Sequence, residues 1–161
     1  MIFVHDTRDK PEKHKNVDDY LIKQGHSIVR TKMYVGDVTL LSDQSVCIDL
    51  KRNLQEICQN LCQDHERFKA EMKRAQDAGI KLIFVVEHGG AIKCLPDVRD
   101  WKNPRLMKSP YVLNGEGLYK RMVTIRERYG VDWIFCAKKQ TGAVIASILG
   151  VSEGVATCQA Q

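Results

Sequence analysis

The sequence predicts an α/β fold, a mixed central sheet flanked by helices on both faces. Two observations carry that prediction. Short alternating runs separated by turn residues crowd residues 27–48 and read as a three-stranded meander. Farther on, helical patterns separate the apolar runs 81–86 and 131–136, which is the rhythm of βαβ units. At 161 residues and 43% hydrophobic content the chain suits one well-packed domain, assigned to residues 1–150 with a C-terminal tail at 151–161.

Each element has its own signature. Ile2, Phe3 and Val4 read as a short buried strand ending in His5-Asp6-Thr7-Arg8-Asp9. Pro11 and the polar residues after it open a helix that carries Val17, Tyr20, Leu21 and Ile22 on one face and is closed by Gly25. Residues 27–33 alternate as a strand, Gly36-Asp37 breaks it, 38–41 form another, Ser42-Asp43-Gln44 turns the chain, and Val46, Cys47 and Ile48 return. Leu54, Ile57, Cys58, Leu61, Phe68, Met72 and Ala75 recur at helical spacing up to Gly79, with a break at Asp64-His65. Residues 81–86 form an apolar run typical of a strand buried on both faces. Residues 89–114 hold three of the four prolines and read as an irregular excursion. A helix at 117–129, a strand at 131–136 and a strongly apolar helix at 142–149 follow, and the tail is expected to fray.

Composition narrows the function. No apolar run is long enough to span a bilayer, and the first six residues lack the pattern of a signal peptide, so the expectation is a cytoplasmic protein without a membrane anchor. Six cysteines without CxxC spacing, several inside apolar periodic segments, suit reduced, buried thiols. Cys58, Cys62 and His65 share a helical neighbourhood, but a structural zinc needs a fourth ligand and none is evident. No Ser/His/Asp or Cys/His pattern, P-loop or GxGxxG stands out. The net charge of +5 is uneven: residues 1–90 hold 14 basic and 14 acidic side chains, and the remainder 11 and 6. That excess suits a polyanionic partner, although a solvated basic surface would look the same.

The chemistry concentrates at the end of the returning strand, where Asp49, Leu50 and Lys51 follow Ile48. Strand alternation points Asp49 and Lys51 to one face. The preceding hairpin brings Asp37 toward Asp49, and two carboxylates that close repel unless a hard cation such as Mg²⁺ or Mn²⁺ lies between them. A metal there polarises a phosphodiester and lowers the pKa of a bound water, while an ammonium orients that water or neutralises the phosphate. On spacing alone, a hairpin rim with an Asp-Lys salt bridge explains the pattern as well.

The neighbouring residues add to this. His5-Asp6-Thr7-Arg8-Asp9, Val35-Gly36-Asp37, Ile48-Asp49-Leu50-Lys51, Arg67-Phe68-Lys69-Ala70-Glu71 and the strand from Leu82 to Glu87 occur in an order that resembles the nuclease domain of XPF-type structure-specific endonucleases, within the PD-(D/E)xK superfamily. Leu118-Tyr119-Lys120-Arg121, the strand beginning at Trp133 and Thr141-Gly142 extend the resemblance over nearly the whole chain. It implies a restriction-endonuclease-like fold and a metal-dependent DNA endonuclease whose products carry 5′-phosphates. It also implies Asp37 and Asp49 as metal ligands, the Leu50 carbonyl as a third, and Lys51 beside the attacking water. Arg67 becomes a phosphate contact, Glu71 stays ambiguous, and Asp6 either ligates a second metal or holds Arg8.

This sequence departs from the family pattern in two places. The family's E-R-K stands as Asp49-Leu50-Lys51, so a phosphate contact from the middle arginine would have to come from Arg52 or Arg67; D-x-R-E stands as Asp6-Thr7-Arg8-Asp9. The sequence ends without the tandem helix-hairpin-helix module that often follows, so a standalone nuclease domain is expected.

Residues 99–111 interleave Arg99, Lys102, Arg105 and Lys108 with Trp101 and Tyr111, a composition suited to phosphate contact and base stacking, or to an ordinary solvated loop. The last helix is apolar almost all round, and XPF-type nuclease domains dimerise through this region. The expectation is a homodimer in which Ile145, Ile148 or Leu149 packs across a two-fold axis, with strand 131–136 contributing. The competing reading is a catalytically idle subunit that binds DNA or holds an active partner, against which the intact Asp37, Asp49 and Lys51 argue. A third is an RNA-binding or RNA-cleaving protein.

Overall fold

The computed structural model describes residues 1–8 and 11–151; Asp9, Cys158 and all of the tail beyond Val151 lie outside the described residues. The described strands are β1 (Ile2–Asp6), β2 (Ser27–Thr31), β3 (Val38–Leu40), β4 (Val46–Lys51), β5 (Lys81–Val86) and β6 (Asp132–Phe135). The described helices are α1 (Lys15–Lys23), α2 (Leu54–Cys62), α3 (His65–Asp77), α4 (Gly115–Tyr129) and α5 (Thr141–Ile148). The strands form one sheet in the order β2-β1-β3-β4-β5-β6. Pairing is parallel for β1 with β2 and through β4, β5 and β6, and antiparallel on both sides of β3. The predicted mixed sheet is therefore what forms.

The predicted meander is not. β2 does not pair with β3, because β1 lies between them. The α1 crossover returns the chain to the end of the sheet where β1 starts and so lays β2 parallel to β1. Residues 32–37 then cross the end of β1, so that β3 takes its other edge. Two backbone bonds fix that crossing: Thr7 N–H donates to Thr31 O at 3.2 Å and Asp6 N–H to Asp37 O at 2.9 Å.

Sheet alternation divides the core. One face presents Val4, Cys47, Leu82, Phe84, Val86 and Trp133 to α2, α3, α4 and the 3₁₀ turn Leu95–Asp100. The other presents Phe3, Val38, Ile48, Leu50, Ile83 and Val85 to α1 and α5. Phe84 stacks on Trp133 with ring centroids 4.5 Å apart and tilts against Phe68 at 5.2 Å, so α3 is anchored over β5. The helix break at Asp64-His65 occurs as predicted, separating α2 from α3. Asn53 caps α2 by accepting from Glu56 N–H at 2.9 Å. Asn114 caps α4 through Gly117 N–H at 2.8 Å, which starts that helix two residues before the sequence-based position.

No disulfide joins the five described cysteines; Cys47, Cys58 and Cys136 are buried as expected, Cys94 is half-buried, and Cys62, at the end of α2, is exposed. No described helix is long and apolar enough to cross a membrane.

Candidate active site

Gly36 creates the bend that sets Asp37 at the head of β3. Its φ is +71°, a region costly for any residue with a Cβ, and a Cβ there would stand 2.9 Å from the Ile48 carbonyl oxygen. With the backbones that close, Asp37 N–H donates to Ile48 O at 2.7 Å, and Asp37 Oδ2 accepts Leu50 N–H at 2.8 Å. The half-buried Asp37 carboxylate thus lies across the end of β4. The Lys51 carbonyl accepts from Glu87 N–H on the β5 side at 2.7 Å, so strand alternation turns the Leu50 N–H and C=O toward the Asp37 edge.

Asp49 and Lys51 share the sheet face beneath α3, as their spacing predicts. Lys51 Nζ lies 2.7 Å from Asp49 Oδ1, with side chains only 9% and 5% exposed. The ammonium also lies 5.2 Å from the Phe68 ring centroid and 5.5 Å from that of Phe84. The Lys51 ammonium is the one cation in contact with the buried Asp49 Oδ1 among the described residues. Burial drives the Asp49 carboxyl up to about 8; Lys51 pulls the other way, and the nearby carboxylates of Asp37 and Glu71 push it further up. Burial opposes the Lys51 charge, but Asp49 and Asp37 outweigh it and hold Lys51 above its ordinary value.

Asp6 is committed to Arg8. Its Oδ2 accepts Arg8 Nε–H at 2.8 Å and an Nη2–H, and its Oδ1 accepts Arg8 N–H at 2.8 Å. Burial alone would raise the Asp6 carboxyl, yet these bonds hold it below the usual value. Of the two roles open to Asp6, the structure displays the hold on Arg8, whose guanidinium also reaches Met33 O at 3.1 Å. Glu71, ambiguous in the sequence, accepts Gly36 N–H at 3.0 Å and so braces the bend that carries Asp37. Nothing in the spacing of Glu71 signals this, because the contact joins α3 to a loop 35 residues away. Arg67 is exposed one turn before Glu71 on α3.

The remaining basic residues form a separate surface. Arg52 is exposed and pairs with Glu56 at the start of α2. Arg105 and Lys108 line a shallow depression with Gln55 of α2, and Lys102 is exposed beside it. The loop is tied toward the site through His88, which accepts Leu54 N–H at 3.4 Å and meets the Trp101 ring edge-on at 6.2 Å. Glu87, just past the end of β5, accepts the Thr141 hydroxyl at 2.7 Å and anchors α5.

No three His, Cys, Asp or Glu side chains among the described residues cluster as a metal site. The donor set here is two carboxylates and a backbone carbonyl. It fits a hard divalent cation: all donors are oxygen, and Asp49, buried beside the Asp37 carboxylate with only the Lys51 ammonium against it, would be favoured by further positive charge.

The chain matches the ERCC4 domain over residues 6–148. Its structure is similar to that of XPF from Aeropyrum pernix, with a TM-score of 0.65 and 19% identity, covering 92% of this chain and 63% of that one. It is also similar to XPF from Aeropyrum pernix in complex with DNA, with a TM-score of 0.63 and 19% identity, covering 92% of this chain and 62% of that one. The chain thus spans less than two thirds of either, and at this identity the likeness is one of fold. No curated protein gives a significant match.

Proposed function

The chain belongs to the ERCC4 domain family, and we propose that it is a divalent-metal-dependent DNA endonuclease of the XPF type, hydrolysing phosphodiester bonds in branched or otherwise structured DNA. The observation that carries this reading is the buried Asp49–Lys51 pair, 2.7 Å apart beside Asp37. Burying two charges costs several kcal/mol per ion, and packing alone gives the sheet no reason to carry them.

In this reading Asp37, Asp49 and the Leu50 carbonyl hold Mg²⁺ or Mn²⁺. Such an ion, when bound, polarises the scissile phosphate and acidifies an attacking water. Lys51, kept cationic by Asp49, orients that water and offsets the negative charge that builds on the phosphate. Asp6 aims Arg8, while Arg8, Arg52 and Arg67 contact phosphates near the site. Lys102, Arg105 and Lys108 engage the DNA backbone farther out. Cleavage leaves a 5′-phosphate. The working unit is a cytoplasmic homodimer joined through the end of α5, with the sheet-edge strand β6 contributing.

A second reading, a catalytically idle subunit that binds DNA or holds a partner, is favoured by one observation: among the described residues no three His, Cys, Asp or Glu side chains cluster as a metal site. Incubating the protein with labelled duplex, flap, fork and four-way-junction DNA, and matched RNA, in Mg²⁺, Mn²⁺ or EDTA separates the two. The endonuclease reading expects metal-dependent nicking of at least one branched DNA. Tight DNA binding without product in either metal would support the idle subunit instead.

A further inference from the structure

A groove of about 280 Å³ runs between α3 and α4 and shares a wall with the candidate active site. The shared wall is Phe68, whose ring lies 5.2 Å from Lys51 Nζ and also lines the groove. Met72, Ile125 and the Tyr129 ring give it an apolar lining. Around the rim stand Lys69, Arg121 and Arg128, and among the described residues no carboxylate lines the groove. The Arg128 guanidinium lies 5.6 Å from the Tyr129 ring centroid.

We propose that this groove binds a single-stranded segment of the nucleic acid next to the point of cleavage, with phosphates on Lys69, Arg121 and Arg128 and a base against Tyr129. The inference rests on the endonuclease reading for its substrate. Its occupant must combine negative charge with flat apolar surface, to match a cationic rim and an apolar lining. An unpaired strand presents both; a duplex hides its base faces in the stack. Arg121 and Arg128 lie two turns apart on α4, about 10 Å along the axis. That spans about three stacked nucleotides of one strand at about 3.4 Å each. The buried Phe68 ring is all that separates this groove from the buried Lys51. An unpaired arm held here lies one side chain away from the candidate site, which gives a branched substrate with such an arm a reason to be preferred.

The test measures anisotropy of a short fluorescein-labelled oligothymidylate with the full chain in EDTA across a salt series. With the metal chelated, binding is read whether or not the protein cleaves, so failure of the endonuclease reading leaves this readout intact. The double variant Lys69→Glu/Arg121→Glu is expected to lose about tenfold or more in affinity. Its log–log salt slope should shrink by about 1.4, from two phosphate contacts at about 0.7 each. The milder Lys69→Gln/Arg121→Gln, with folding checked by circular dichroism, serves if the reversal unfolds the chain. Unchanged affinity and slope in the folded variant would overturn the inference. So would displacement of the label by poly-glutamate as effective as that by unlabelled oligothymidylate, since the groove would then accept any polyanion.

Discussion

Gly36 is the residue on which the site turns, since its positive φ and the nearness of the Ile48 carbonyl both exclude a Cβ. Gly36→Ala is expected to cost at least about 1–2 kcal/mol in chemical denaturation and to displace Asp37. Wild-type stability in that variant would mean the bend relaxes freely. His5 makes a second prediction. It is buried, with Nδ1 3.0 Å from Asp18 Oδ1, and its pKa is pushed down to about 4 by burial first, then by Arg30 and His14. Folded His5 stays neutral where the unfolded chain, with a pKa near 6.5, takes up a proton. Stability fully present above pH 6.5 should therefore fall by at most about 3 kcal/mol as pH drops to 4, since the Asp18 carboxylate 3.0 Å away favours the imidazolium and opposes the fall. His5→Gln should flatten that slope in pH-dependent denaturation, and an identical slope would remove His5 as its source. At this scale the sequence was readable where alternation decides, as with Asp49 and Lys51. It was silent where distant elements meet: only the packing of α3 brings Glu71 to Gly36.

Among the elements, the loop holding Lys102 and Arg105 and the placement of β3 show what spacing can and cannot reveal. Reversing both charges, Lys102→Glu/Arg105→Glu, should weaken duplex DNA binding and reduce its salt slope by about 1.8, from two contacts at about 0.9 each. A binding titration with the parent slope would assign the loop to solvent. The loop's composition suggested a DNA surface, but its position beside α2 follows from contacts of His88 and Trp101 that no local pattern encodes. The meander failed for a related reason. Strand periodicity identified β2, β3 and β4, yet pairing was decided by the α1 crossover, which inserts β1 between β2 and β3. Helices were read closely because amphipathic spacing and caps such as Asn53 and Asn114 are local.

For the whole molecule, packing within the chain accounts for part of the all-round apolar character of α5. α5 buries a second face within its own chain: Gly142 packs so tightly on Tyr20 of α1 that a Cβ would sit 2.7 Å from the Tyr20 Cβ. Ile145 is fully buried there and cannot reach a two-fold axis, whereas Ile148 and Leu149 remain half-exposed. A dimer through these two predicts that Ile148→Asp halves the mass measured by light scattering at micromolar concentration. A wild-type mass of one chain across the series would remove the dimer. The central claim, that Asp49 and Lys51 are kept for metal-dependent hydrolysis, is tested most directly by single-turnover cleavage of the best branched DNA in Mg²⁺. Wild type and Asp49→Asn are compared at saturating protein. The expected result is a rate at least about a hundredfold lower for the variant with DNA affinity retained, because the amide keeps the side-chain volume and loses the charge that holds the ion. Equal rates in the two proteins would contradict the claim.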